Sequence, residues 1–352
     1  MKILYRIFVG LTIILLSLGL YFGYMLKPSQ EQKKRIIAQR EKANVTEIPR
    51  VNAFDGDNPL HILVLGIDRT KTTELDKDDN PSRTDTMMLF TIDPVGKSAQ
   101  LLSIPRDSYV YVPGHGMTKI NHAFAYGEYP LTKKTVEQFL DIDIDFYAIV
   151  DYDAVRELTT TVGGVEVYMP VDYKYSDPSV IPPLEIDFHK GYHLVEGDDA
   201  VRFLRIRKAF DDQDIGRIGQ QQKFLMSLLK KMKRPGMILK LPQLIDIVQN
   251  YVDTDLTYGQ IADLAYFGLS MDLNNIHTEV LQGGGKRIGE QDYWMVDKWM
   301  ARKLIKDFLK TSRENVNKGE ENENYDIKTN DDGYKESYDD VNRNNKGEEN
   351  GI

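Results

Sequence analysis

The chain has 352 residues, of which 41% are hydrophobic, 28% charged and none cysteine, enough for one large globular domain or two small ones. Its formal charge is −9, but residues 311–352 carry twelve acidic and six basic side chains and so supply −6 of it, leaving the body nearly balanced. No Lys/Arg-rich stretch interleaved with aromatics occurs outside the segment before the globular body, which excludes the basic stripe that a nucleic-acid partner requires.

Ile7 to Leu26 reads IFVGLTIILLSLGLYFGYML, twenty uncharged residues, about the length that spans a bilayer core as a helix. It runs into Lys27 and Pro28 without a small-x-small cleavage pattern, which predicts a retained single-pass anchor rather than a removed signal peptide. Lys2 and Arg6 precede it, whereas Lys27, Lys33, Lys34, Arg35, Arg40 and Lys42 follow, a balance that by itself favours the domain facing inward. The lack of cysteine, in contrast, suits export. Residues 27–56 read as a charged spacer.

The globular domain is expected over residues 57–310. Apolar β-rich runs predict strands at Leu60 to Ile67, Thr86 to Ile92 and Gln100 to Pro105. Helical periodicity follows at Ile120 to Tyr126 and Leu131 to Leu140. A strand at Phe146 to Val150 and a helix at Ala154 to Val162 come next; Gly163-Gly164 ends that helix before a strand at Val165 to Met169. Further helices are expected at Asp198 to Leu204, Arg217 to Lys233, Leu241 to Tyr251, Tyr258 to Leu269 and Tyr293 to Leu309, with a strand at Ile276 to Leu281. This alternation predicts one α/β domain with helices on both faces of the sheet. From Thr311 the row is Asn, Asp, Glu, Gly and Lys with almost nothing to bury, which predicts a disordered acidic tail over residues 311–352.

Charged residues converge at one sheet edge. A turn at Asp93-Pro94-Val95-Gly96 makes the second and third strands an antiparallel hairpin, so the end of strand one, the start of two and the end of three lie together. Asp68, Arg83, Asp85 and Arg106 then meet. Two carboxylates beside two guanidiniums suit a divalent cation with a phosphate group, and they equally suit a surface ion-pair network. In a second cluster, Arg205 and Arg207 share a face if the chain is extended there, with Arg202 turned to solvent. Asp214 is a candidate N-cap, placing Arg217 and Gln221 one turn apart on the next helix. The six histidines show no ligand spacing and read as structural, and no G-x-x-x-x-G-K-[ST] or Cys/His metal cluster occurs.

In register along the chain stand LVLGIDR at Leu63, SRTDTMML at Ser82, SIPRDSYV at Ser103, KINHAFAYG at Lys119, VGGVEV at Val162, AVRFLRIRK at Ala200 and DIGRIGQQQ at Asp214. Together they resemble the LytR-CpsA-Psr family of cell-wall glycopolymer ligases over Leu60 to about Lys230. The resemblance implies a three-layer α/β/α domain around a mixed sheet, a hydrophobic polyprenyl pocket and an N-terminal membrane helix with the domain outside, against the charge count. It implies Mg2+ at Asp68 and Asp85, pyrophosphate contacts from Arg83, Arg106, Arg205, Arg207 and Arg217, and further polar positions at Lys119 and Gln221. Asp68, Asp85 and Arg106 become the catalytic candidates. One departure is Gln220, where the family usually has arginine, which implies one cation fewer near the site.

The implied partners are a polyprenyl-pyrophosphate-linked glycopolymer (teichoic acid, capsule or secondary wall polysaccharide), peptidoglycan as acceptor, and the membrane. A polyprenyl-pyrophosphate hydrolase would use the same residues; a non-catalytic carrier-binding regulator would not need both aspartates. Val136, Phe139, Leu140, Leu158, Leu225 and Leu229 are candidate walls for the lipid cavity, and are equally suited to plain core.

Overall fold

The computed structural model describes residues 52–68, 84–179, 183–207, 209 and 213–326, with backbone alone for 213, 214 and 317–326. The expected anchor at Ile7 to Leu26, the spacer up to residue 51, Arg83 and the tail from residue 327 lie outside the described residues. No helix among the described residues is long and apolar enough to cross a membrane.

The chain runs β1 (Leu60–Ile67), β2 (Thr84–Asp93), β3 (Ser98–Ser103), β4 (Tyr109–Val112), β5 (Gly116–Lys119), α1 (His122–Leu140), β6 (Phe146–Val150), α2 (Tyr152–Val162) and β7 (Val165–Met169). It continues through β8 (Tyr173–Asp177), β9 (Leu184–Phe188), β10 (Gly191–Val195), α3 (Asp198–Leu204), α4 (Gln213–Met232), α5 (Leu241–Tyr251), β11 (Val252–Thr254) and α6 (Tyr258–Ser270). β12 (Ile276–Val280), β13 (Gly283–Ile288), β14 (Gln291–Val296) and α7 (Lys298–Asp326) complete it.

The central sheet is mixed, in the order β11-β6-β1-β2-β3-β12. β1, β2 and β3 pair antiparallel, whereas β6 joins β1 and β12 joins β3 in parallel. Alternation along the strands gives each face its own core. On one side Leu63, Leu65, Met87 and Leu89 pack with Val136 and Phe139 of α1 and Ala301 and Ile305 of α7. On the other, Ile62 and Phe146 meet Ile245 of α5 and Ile261 of α6. Each fully buried leucine of this kind stabilises the fold by about 1.5–3 kcal/mol. A third cluster joins β7 to α3 and α4 through Val165, Met169, Phe203, Phe224 and Leu228.

Local chemistry sets the boundaries. Asp151 caps α2 by accepting from the N–H groups of Asp153 and Ala154, and Gly163 ends it at φ 73. Thr257 and Gln260 form a reciprocal capping box on α6. The two helices expected around Gly127 are present as the two arms of α1, which breaks between them at the non-helical dihedrals of Gly127 and Glu128, with Pro130 just beyond. Tyr293 to Val296 is strand rather than helix, and α7 starts at Lys298. α4 starts at Gln213, so Asp214 is inside the helix and is not its N-cap.

Two expected borders move. Packing begins before Asp57, since Ala53 is buried with its N–H on Asp263 and Phe54 meets Phe267 at 5.0 Å. α7 continues to Asp326, so residues 311–326 are helix and not a disordered segment. Ser312 is buried and donates to Asp93 at 2.6 Å, and Arg313 pairs with the same carboxylate at 3.4 Å.

Candidate active site

Of the expected cluster, sheet register brings Asp68, Asp85 and Arg106 together, while Arg83 lies outside the described residues. Ile67 faces Thr84 and Met88 faces Ser103, so Asp68, Asp85 and Arg106 emerge at one edge. The β1–β2 register shifts between Gly66 and Ile67. Gly66 is required there, because an added Cβ would stand 2.9 Å from the Cβ of Thr86. α3 ends at Leu204 and feeds Arg205 and Arg207 to the same edge, and α4 brings Arg217 and Gln221 over it. Arg205 has helical dihedrals as the C-cap of α3, not the extended ones expected, yet both arginines reach the site.

Asp85 is the hub. Arg106 Nη1 donates to its Oδ1 at 2.5 Å, Arg207 Nη2 to its Oδ2 at 3.2 Å, and Arg217 Nη2 to its backbone oxygen at 3.2 Å. Asp68 pairs with Arg205 at 3.6 Å and accepts the Tyr152 hydroxyl at 3.5 Å, while the Arg205 guanidinium lies 5.3 Å from the Tyr152 ring. Burial first, then the Asp68 carboxylate, pushes the Tyr152 phenol well above its ordinary value, so it remains a neutral donor. Lys119 pairs with Asp107 at 2.9 Å beside Arg106.

Arg217 is only 3% exposed. A guanidinium so desolvated is costly unless anions lie close, and its bond to the Asp85 backbone oxygen holds it beside that acidic residue. Among the described residues, three buried oxygens nearby meet no hydrogen-bond partner: Thr84 Oγ1, Asn121 Oδ1 and Gln221 Oε1. Leaving such an atom unsatisfied costs about 1–3 kcal/mol, a cost a ligand can remove.

Three cavities meet at Asp85. The first, of about 380 Å3, is apolar and lies between the sheet (Val64, Met88, Phe90), α2 (Leu158), α4 (Phe224, Leu225, Leu228) and α5 (Ile247, Val248); Arg205, Arg207, Arg217 and Gln221 line it with Asp85. Of the candidate lipid walls, Leu158 and Leu225 line it, whereas Val136, Phe139 and Leu140 belong to the core across the sheet. Leu229 is not among its lining residues. The second, of about 440 Å3, runs past Arg106, Arg217, Ile218 and Trp294. The third, of about 600 Å3, is a polar cleft between Arg106, Lys119 and Asn121 on one side and the turn from β13 into β14 on the other. Gln220 lines none of these; it is buried and its amide donates to the Tyr168 carbonyl at 3.4 Å.

Asp68 and Asp85 fit a divalent cation that arrives with phosphate oxygens, since both are hard oxygen donors whose present partners are the cations a pyrophosphate would attract. Among the described residues no group of three or more Asp, Glu or His side chains is placed to hold a cation alone. Tyr152, Asn121 and the β13–β14 hairpin escaped the sequence reading. Tyr152 and Asn121 carry no spacing signal; the hairpin had one, in Gly283-Gly284-Gly285 and the turn glycine Gly289 at φ 62.

A mixed sheet with helices on both faces, an apolar cavity opening on a guanidinium–carboxylate cluster, and the motifs in order define the class of protein to which the chain is to be compared. Residues 20–310 match the LytR_cpsA_psr family, and the chain belongs to it. It is 28% identical to the polyisoprenyl-teichoic acid–peptidoglycan teichoic acid transferase TagU of Bacillus licheniformis, over 90% of this chain and 97% of that one. The crystal structure of B. subtilis TagV superposes with a TM-score of 0.60 at 29% identity, covering 73% of this chain and 99% of that one. A structure of the family protein YwtF (TagT) with bound octaprenyl pyrophosphate lipid gives 0.54 at 26% identity, covering 75% and 95%.

Proposed function

We propose that this protein transfers a teichoic-acid-type glycopolymer from a polyprenyl-pyrophosphate carrier to peptidoglycan. The observation that carries the reading is the apolar cavity whose mouth is made of Arg205, Arg207, Arg217 and Asp85. A greasy chain fits the walls, and its pyrophosphate meets the arginines. The names of the relatives, and the octaprenyl pyrophosphate bound in one of them, point the same way. Ile7 to Leu26 serves as a single-pass anchor, with the domain on the outer face of the membrane where lipid-linked glycan and peptidoglycan meet.

In the reaction an acceptor hydroxyl oxygen bonds to the phosphorus that bears the sugar. The bond from that phosphorus to the bridging oxygen breaks, and its electron pair leaves on the lipid monophosphate. The hydroxyl proton passes to a carboxylate of the cluster, with Asp85 bordering both the lipid and the polar side. Arg205 and Arg207 neutralise the leaving phosphate, Arg106 the transferred one, and the apolar walls keep the lipid end free of water. Asp68 and Asp85 would hold Mg2+, which would add further charge neutralisation at the phosphates.

Asp68→Ala and Asp85→Ala are each expected to abolish transfer of a lipid-pyrophosphate-linked glycan while the melting temperature stays close to wild type, and a chelator is expected to do the same reversibly. Near-normal turnover in both variants would sink the assignment. Release of free polymer in place of a peptidoglycan conjugate by the wild type would make the protein a hydrolase.

A further inference from the structure

The third cavity has no part in holding the lipid, and its chemistry differs from that of the site it adjoins. Arg205 and Arg207 line the apolar cavity but not this cleft, Arg106 lines the cleft but not the apolar cavity, and Asp85 borders both. A phosphorus held at Asp85 therefore has the lipid on one side and the cleft on the other. In-line displacement needs the nucleophile opposite the leaving group. Resting on the transferase reading, we propose that this cleft binds the acceptor, as an uncharged polyhydroxyl saccharide, with Asn121 accepting one of its hydroxyl protons.

The lining argues for a neutral sugar. Arg106 pairs with Asp85 and Lys119 with Asp107, so Glu290 and Asp292 leave the lining net acidic and disfavour a second phosphate, while Asn121 and Gln291 offer amides suited to hydroxyl groups. Asn121 carries the strongest sign. It immediately precedes α1 with helical dihedrals (φ −69, ψ −15), not the extended ones from which an asparagine caps, so its side chain is not engaged by the first turn. It is 5% exposed, and among the described residues its Oδ1 meets no hydrogen-bond partner. Phosphate oxygens at neutral pH only accept, so the pyrophosphate cannot satisfy this atom; a hydroxyl can. The backbone N–H of Asn121 donates to the Arg106 carbonyl at 3.2 Å, which ties a bound sugar's position to the phosphate contact.

The far wall is fixed. Trp294 of β14 donates its backbone N–H to Asp107 at 2.9 Å and its ring N–H to Leu281 at 3.2 Å. Gly283 permits this, because an added Cβ would lie 2.3 Å from the Met295 carbonyl oxygen. The hairpin turn at Glu290 and Gln291 is thus held over Asp85 instead of lying loose.

The test uses the full chain in detergent, a polyprenyl-pyrophosphate-linked glycan as donor and soluble peptidoglycan fragments as acceptor, reading acceptor KM, kcat and donor Kd separately. Asn121→Ala is expected to raise acceptor KM about tenfold, with donor Kd shifted by less than about twofold. Asn121→Asp keeps an acceptor oxygen and should recover most of the loss. Gln291→Ala, at an exposed hairpin position, should raise acceptor KM in the same sense even if Asn121→Ala fails to fold. Weakened donor binding with unchanged acceptor KM would place the donor's own sugar in the cleft and overturn the proposal, as would no change in either constant. A wild-type protein that binds donor but transfers nothing to any fragment would instead overturn the transferase reading itself.

Discussion

Asp85 takes a guanidinium on each carboxylate oxygen, while Arg205 pairs with Asp68, so the cluster's cations are matched by its own anions. On the proposed function, a bound pyrophosphate would exchange these partners. Arg205→Ala removes a charge-assisted contact worth about 1.5–3 kcal/mol, which predicts roughly a tenfold to hundredfold loss of lipid-pyrophosphate affinity. Arg207 is 44% exposed against 16% for Arg205, and solvent screening puts Arg207→Ala near the lower end, about tenfold. Arg202 pairs with Asp199 on the same helix at 2.6 Å and lines no part of the cavity, so Arg202→Ala should leave binding unchanged. Titration of one lipid pyrophosphate into the three variants at fixed Mg2+ and salt checks this, and equal losses at Arg202 and Arg205 would mean a diffuse basic surface.

Among the elements, α7 departs furthest from expectation. Asp93, fully buried at the β2–β3 turn, depends on it: Ser312 donates to one carboxylate oxygen and Arg313 pairs with the other, while Ser98 bonds the same serine hydroxyl at 2.6 Å. Ending the chain after Lys310 leaves a buried carboxylate short of both partners, at a cost of about 2–4 kcal/mol, and the melting temperature should fall by several degrees. An unchanged melting curve for the truncated protein would remove α7's last turns from the stability argument. The sequence could not announce this, because the contacts are polar and residues 311–326 lack the apolar period that marks a packed helix. β1, β6, β7, α3 and α5 were legible to the residue, each having a strong apolar period and a clear stop. β13 is exposed at all six positions, so no alternation marks it, and its partner Tyr293–Val296 reads by composition as the start of a helix. Of the site, Asp68, Asp85 and Arg106 come together because strand ends fix them, and Arg205, Arg207 and Arg217 because α3 and α4 lead to the same edge. Asn121 and Tyr152 were not legible in the sequence, since burial without a partner and burial against a charge are facts of packing.

For the whole molecule, pH acts through the sheet's centre. His61 lies in β1 with its ring on Thr91 at 3.1 Å, and its backbone N–H donates to Asp145 at 2.9 Å. Burial lowers its pKa below the ordinary 6.5, against the pull of Asp145 and Asp143. The unfolded chain therefore binds more protons just below pH 6.5, so the stability this neutral ring contributes is present above that pH and declines as pH falls through the folded pKa. His61→Gln should flatten the fall in melting temperature between pH 6.5 and the acid side; an identical slope would exclude His61 as its source. The order of the sheet also governs how the chain is assembled. β1 to β3 come within the first hundred or so residues, but β3, buried at every position, receives its outer neighbour β12 only from residues 276–280. Until synthesis has passed that point, β3 presents an open hydrogen-bonding edge to any other strand, the geometry that templates misassociation. Completion of the fold is thus a late, all-or-none event that waits for the C-terminal quarter of the chain.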